Sequence, residues 1–257
     1  MAMQFTFFGT SDTGRQREHN EDSYLCNPEE KLFLVADGIG GQASGEIASK
    51  EAVKSVEEFV VRSRSEDLTW PIPYRQDLSI EQNRLLAAAT LANHRIHALA
   101  SKNPTMQGMG TTLVGVSIEG DRLALINVGD SRLYRIRDGR IEQLTQDHSL
   151  AAEQARKGLL SKEEVYKHPQ RHILTSALGV GPIETIQVDL SLVEVLEGDL
   201  YLFCSDGLHD MIGDKEILTT ANVFGGKSLK KIGLSLIQQA NLAGGRDNIT
   251  VILLCFC

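Results

Sequence analysis

The chain has little of what would place it in a membrane, in the secretory route or on nucleic acid. No apolar stretch approaches the ~20 residues that a membrane-spanning helix needs. The N-terminal MAMQFTFFGTSD has neither a basic n-region nor a small-residue cleavage site. The four cysteines, Cys26, Cys204, Cys255 and Cys257, form no CxxC pair. They read as reduced, mostly buried small hydrophobes. No basic run is present, and 26 Lys and Arg against 34 Asp and Glu leave a formal net charge of −8. The overall field therefore disfavours nucleic acid and anionic lipid, although local cations can still dominate a cleft. No internal repeat or low-complexity tract appears. These absences together point to a cytoplasmic protein with no membrane or nucleic-acid partner, and a monomer is the default because no interface pattern is visible.

What is present is an ordinary globular composition, 42% hydrophobic and 23% charged over 257 residues, enough to bury a proper core. QFTFFGTSD, DSYLCN and KLFLVAD read as short strands. Helical spacing follows from about Ser44 to Ser63, with Ile47, Ala48, Ala52, Val53, Val56, Phe59 and Val60 on one side. RSRSEDLTWPIPYRQDLS is a polar connector. A second helix runs from about Ser79 to Lys102, opened by a Ser79/Gln82 capping box and closed by Asn103-Pro104. Its buried side is expected to carry Leu85, Leu86, Ala89, Ala92, Ile96 and Leu99. TTLVGVSI, RLALINV, SRLYRIR and RIEQLT read as a meander, with a two-residue hairpin at Asp138-Gly139. A weakly helical stretch spans Ser149 to about Lys167. ETIQVDLSLV, DLYLFCS and NITVILLCFC are further strands, and a helix lies near Ser228 to Leu242. Runs of strands broken by paired long helices argue for antiparallel sheets and an α+β class.

Four aspartates border the most apolar strands: Asp37 after LFLVA, Asp130 after LALINVG, Asp206 after LYLFCS and Asp247 before NITVILL. Each alone has a plain reading as a turn residue. Together they suggest a cluster at the rim of the sheets. Carboxylates about 4 Å apart repel by roughly 4 kcal/mol at an effective dielectric near 20, so a cluster calls for protonation or a cation. Ligands that are all oxygen favour hard ions such as Mg²⁺ or Mn²⁺ over zinc. Asp37 and Asp206 are both followed by Gly, which frees the local backbone carbonyl to approach a cation.

RQREHNEDS, FLVADGIGGQASGEIAS, MGTTLVGV, NVGDSRLYRIRDG, LTQDHSL, HILTSALG, LFCSDGLHDMI and GGRDNITVILL occur in one order across nearly the whole chain. This ordered set resembles the protein phosphatase 2C-like, metal-dependent protein phosphatase (PPM) family, especially its bacterial members. The resemblance implies one domain over residues 1–257, a four-layer αββα sandwich of two antiparallel sheets flanked by helix pairs, with a flap at about 147–172. It implies a phosphatase acting on phosphoserine and phosphothreonine, with phosphotyrosine as an extension, through water activated by two Mn²⁺ or Mg²⁺ ions. Asp37 then looks like the bridging ligand, the Gly38 carbonyl a ligand to one ion, and Asp206 and Asp247 ligands to the other. Asp130, with Asp206, resembles the ligands of a third, weaker ion. Arg17 matches the arginine that grips substrate phosphate, and Asp37, Asp206 and Arg17 carry the catalysis. Glu21 matches a residue near the ions, acting through water. Glu21 and Asp22 also have a turn hydrogen-bonding reading. Arg132 reads as a structural partner for carboxylates. The implied partners are phosphorylated proteins, a Ser/Thr kinase and its substrates.

The chain departs from some family members at Ile39, where they carry a His. His148, His168 and His172 fall in the flap, and His19 and His209 sit beside motifs, all with a plain reading as packing or surface residues. GIGGQA at 38–43 also fits a dinucleotide fingerprint, but the required second strand is missing and helix continues through Val56–Glu58. A cysteine-phosphatase loop fails because no Arg follows Cys204 at short spacing. The other reading that stays open is a catalytically silent, phosphoprotein-binding regulatory module of the same fold.

Overall fold

Alternation along the apolar strands sorts their side chains into three separate cores. In Leu32–Ile39, the side chains of Leu32, Leu34 and Ala36 face one way, among Ala52, Val56, Val60, Leu85 and Ala89 of two helices. Phe33 and Val35 face the other way, among Tyr201, Phe203, Ile252 and Leu254. Leu200, Leu202, Val251 and Leu253 form a third core with Ile232 and Leu236. A strand apolar on both sides must be covered on both sides. Helix, sheet, sheet and helix layers follow from that pattern.

The computed structural model describes residues 3–40, 44–223 and 228–257. The strands are β1 Phe5–Asp12, β2 Asp22–Asn27, β3 Leu32–Ile39, β4 Gly110–Thr111, β5 Leu113–Glu119, β6 Arg122–Val128, β7 Arg132–Arg137, β8 Arg140–Gln143, β9 Asp189–Glu194, β10 Leu200–Cys204 and β11 Ile249–Phe256. The helices are α1 Ser44–Ser65, α2 Ile80–Lys102, α3 Leu150–Arg156, α4 Lys162–Lys167, α5 Asp206–His209, α6 Asp214–Val223 and α7 Leu229–Leu242. One sheet runs β1-β11-β10-β7-β8 and the other β2-β3-β5-β6-β9, with β4 added to β3. Every strand pair is antiparallel. Helices α1 and α2 pack on the second sheet, and α6 and α7 lie on the outer side of the first.

Two expectations need correction. The stretch from Thr111 to Leu144 is not one meander. β5 and β6 pair in the second sheet and β7 and β8 in the first, because the chain crosses between sheets at Gly129-Asp130-Ser131. On α2, Leu99 is 38% exposed rather than buried. The helix instead buries the polar Glu81, Arg84, Asn93 and Thr90, with Arg64 and Arg84 both bonded to Glu81. The α2 capping box forms as expected, and Asp138 and Gly139 both take positive φ in the β7–β8 turn (51° and 69°). The weakly helical stretch from Ser149 to Lys167 resolves into two short helices, α3 and α4. Of the GIGGQA segment, residues 41–43 lie outside the described residues.

Candidate metal centre and cleft

Register brings the carboxylates together. Asp22 pairs with Asp37 across the β2–β3 ladder. Cys204 pairs with Arg132 on one side and Val251 on the other, which sets Asp206, Asp130 and Asp247 at the same end of the first sheet. A cleft of about 710 Å³ opens there, lined by Asp37, Asp130, Asp206, Asp247, Glu21 and Arg17 among others. The aspartates predicted to meet therefore share one neighbourhood, and Gly38 lines it with them.

The electrostatics report the same convergence. Burial first, then repulsion from Asp22, Asp206, Asp130 and Asp247, pushes the Asp37 carboxyl well above the ordinary range. Asp206 is raised in the same way, by burial and then by Asp130, Asp247 and Asp210. Burial pushes Asp130 up to about 7 and Asp22 up to about 6. A fold that holds so many acids together disfavours their charge unless something positive joins them. The Oδ1 atom of Asp206 is buried with no hydrogen-bond partner. An orphaned buried carboxylate oxygen in an all-oxygen donor set fits a hard divalent cation. Asp37, Gly38, Asp206 and Asp247 all line the cleft that would receive such an ion.

Local chemistry fixes these positions. Thr112 Oγ1 accepts from the Asp37 amide and exchanges a bond with Ser131 Oγ. Asn248 accepts the Glu21 amide and donates to the carbonyls of Thr13 and His19. The glycines after Asp37 and Asp206 turn out to serve close backbone packing. A Cβ on Gly38 would lie 2.2 Å from the Gly45 carbonyl oxygen, and one on Gly207 would lie 2.0 Å from that of Asn248. No side chain fits either place.

Arg17 lies at the cleft mouth, and its Nη2 donates to Asp247 Oδ2 at 2.6 Å. Arg132 makes a bidentate pair with Asp147, the structural role expected of it. His148 is buried, accepts the Gly129 amide at Nδ1 and pairs with Asp189 through Nε2. His209 is buried against the Asp130 carbonyl. His172 reaches the cleft, where its Nδ1 lies 3.2 Å from Asp210 Oδ2.

Sequence reasoning missed four contributors. Asp22 is not a turn residue: its Oδ2 accepts from Ser205 Oγ and Thr250 Oγ1 and so ties β2 to both β10's end and β11. Asn248 and Thr112 were hidden because their work is hydrogen bonding to backbone brought close only by the fold. Asp210, ion-paired to Arg171 at 3.0 Å, sits inside SDGLHD and was available as a second carboxylate one helical turn after Asp206.

Comparison with known proteins supplies an independent view. The family model for protein phosphatase 2C matches residues 9–226. The serine/threonine protein phosphatase PstP of Mycobacterium tuberculosis is 34% identical over 243 residues, which cover 95% of this chain and 43% of that protein. The chain thus spans less than half the length of that relative. The serine/threonine phosphatase stp of Listeria welshimeri is 35% identical over 252 residues, covering 95% of this chain and 92% of its own length. A crystal structure of the catalytic domain of PstP in complex with two manganese ions aligns with a TM-score of 0.82 at 30% identity, over 98% of each chain.

Proposed function

The chain belongs to the protein phosphatase 2C family, and from that premise we propose that it is a divalent-metal-dependent phosphatase that hydrolyses phosphoserine and phosphothreonine in proteins. The observation that carries this reading is the single cleft in which Asp37, Asp206 and Asp247 converge beside Arg17. When bound, two Mn²⁺ or Mg²⁺ ions would supply an activated water and neutralise phosphoryl charge. Asp37, at the centre of the mutual repulsion, would help to hold both ions. The Gly38 carbonyl would serve one ion, and Asp206 and Asp247 the other. Glu21, held by Asn248, acts through water. Asp130 with Asp206 would serve a third, weaker ion. The Arg17 guanidinium carries five donors, so its bond to Asp247 leaves others to face a phosphate.

A complete ligand set and relatives named as phosphatases support turnover over the silent regulatory module. We take residues 1–257 as one phosphatase domain whose flap is the 147–172 segment, anchored by Arg132–Asp147 and by the bridge of Ser149 to Leu174. Among the described residues no helix is long and apolar enough to cross a membrane. A cytoplasmic monomer that opposes a Ser/Thr kinase in signalling is the setting that fits. Ile39 lines the cleft and cannot donate a proton, so leaving-group protonation falls to water or a flap histidine. The test is hydrolysis of p-nitrophenyl phosphate with Mn²⁺ and with EDTA. Activity with the metal and none with the chelator is expected, and equal rates in both would overturn the assignment.

A further inference from the structure

We propose that Arg246 is the core of an anion subsite at the cleft mouth. It takes a second negative group, a carboxylate or a further phosphoryl, that lies beside the phosphorylated residue of a protein substrate. Arg15, on the neighbouring loop, extends it. The subsite rests on the reading of the cleft as that of a phosphoprotein phosphatase, and gives that enzyme a preference for acidic or multiply phosphorylated segments.

Arg17, Arg171 and Arg246 all line the cleft. Arg17 pairs with Asp247 at 2.6 Å and Arg171 with Asp210 at 3.0 Å. Arg246 is exposed and bonds to no acid or carbonyl among the described residues. A guanidinium presents five donors in a planar fork that matches carboxylate and phosphate oxygens. On Arg246 the whole fork is open to a ligand.

The loop that carries it is held in place. The Gly245 carbonyl accepts the amides of Arg15 at 2.7 Å and Gln16 at 3.2 Å, and Gln16 Nε2 donates to the Gly244 carbonyl at 3.3 Å. Gly244 and Gly245 take φ of 136° and 51°, and a Cβ on Gly245 would lie 2.6 Å from Asn241 Oδ1. Other residues rarely adopt such a backbone. Arg246 Cγ and Met211 Sδ each lie 3.8 Å from where a Gly244 Cβ would stand, and Arg15 Cγ lies against Gly245. The stems of Arg15 and Arg246 thus rest on adjacent glycines. Arg246 directly precedes Asp247, the acid that orients Arg17. The open guanidinium therefore stands next to the phosphate grip. An extended substrate spans about 3.4 Å per residue, which places the second anion within about three residues of the phosphoserine.

The charge of the whole chain runs the other way. A net −8 and the acids of the cleft set up a field that disfavours an acidic substrate. Without local cations at the mouth, neutral or basic segments should be preferred. The charge preference of the enzyme therefore reads out what Arg246 and Arg15 do.

Steady-state kinetics with Mn²⁺ on phosphoserine peptides tests the subsite. One peptide carries neutral neighbours, one Asp and Glu within about three residues, one a second phosphoserine there, and one Lys. Relative to the neutral peptide, kcat/KM should be about tenfold higher with an added anion, mainly through KM, and the gain should fade with added salt. A gain for either anionic peptide supports the subsite, and the larger gain names the anion as carboxylate or phosphoryl. The gain should shrink about threefold or more in Arg246→Ala, persist in part in Arg246→Lys and invert in Arg246→Glu, where the Lys peptide becomes preferred. A merely structural role would lower the rates on all peptides alike. Equal kcat/KM across the peptides, or an acidic preference that survives Arg246→Glu, would overturn the subsite and leave the phosphatase reading standing. No turnover of any phosphopeptide by the unmodified chain with Mn²⁺ would overturn that reading and the subsite with it.

Discussion

At Asp37, burial and four neighbouring carboxylates favour the neutral acid, while metal binding requires the charge. The two demands separate on substitution. Asp37→Asn keeps the shape and removes the repulsion, so it should cut kcat by about 10²–10³ or more and yet stabilise the protein in EDTA by about 0.5–2 kcal/mol. Paired kinetics and thermal melts check both signs together. A variant that is inactive and also less stable would mean that Asp37 serves the fold, not the ions. Arg17 separates differently. Its pair with Asp247 is exposed (side chains 51% and 32%), and such pairs are worth about 0.2–1 kcal/mol. Arg17→Ala should therefore raise the Mn²⁺ needed for half-maximal rate by no more than about fivefold. A lost charge-assisted grip on phosphate costs about 1.5–3 kcal/mol, so KM for p-nitrophenyl phosphate should rise about 10–100-fold. A fall confined to kcat would move the role of Arg17 to the transition state.

Among the elements, legibility followed how local the determinants are. The α2 start was readable because Ser79 and Gln82 complete a capping box within three residues. The Asp138-Gly139 turn was readable for the same reason. Ser79→Ala should cost about 1 kcal/mol and lower the melting temperature by about 2–4 °C. Turnover should stay unchanged, since α2 touches the cleft nowhere; a large loss of activity at constant fold would contradict that separation. The sheet crossing at Gly129-Asp130-Ser131 was not readable, because alternation in β6 and β7 is the same whichever sheet receives them. That crossing is what delivers Asp130 to the cleft. The border aspartates were visible as strand ends, but their meeting depends on register between strands tens of residues apart, Cys204 pairing with both Arg132 and Val251, and on the packing of the two sheets. Resemblance supplied it, and the register of β10 with β7 and β11 gives the physical account. Asp22 escaped for the same reason. Its partners Ser205 and Thr250 lie 183 and 228 residues away.

At the scale of the whole molecule, the clustered acids make stability depend on pH in an unusual window. Asp37 and Asp206 are raised, Asp130 to about 7 and Asp22 to about 6, each above its unfolded value. A carboxyl raised in the fold contributes stability that is complete below the unfolded value near 4. That contribution is lost as pH climbs through the folded value. The paired acids Asp147, Asp199 and Glu81 are shifted the other way, so their contributions change only at or below the unfolded range. Between about pH 5 and 8 the raised group therefore dominates, and the protein in EDTA should melt lower as pH rises. On the proposed reading Mn²⁺ would bind the deprotonated cluster and oppose this trend. At a free concentration near 100 times Kd it adds about 2.7 kcal/mol, or about 5–10 °C for a chain of this size at about 2–4 °C per kcal/mol. The Mn²⁺-minus-EDTA difference in melting temperature should be largest at pH 8 and shrink toward zero near pH 5.5, where protons compete for the same oxygens. Calorimetry across that range measures it directly. An offset that stays constant with pH would mean that the ions bind away from these carboxylates, and the cleft would lose its claim to be the metal centre.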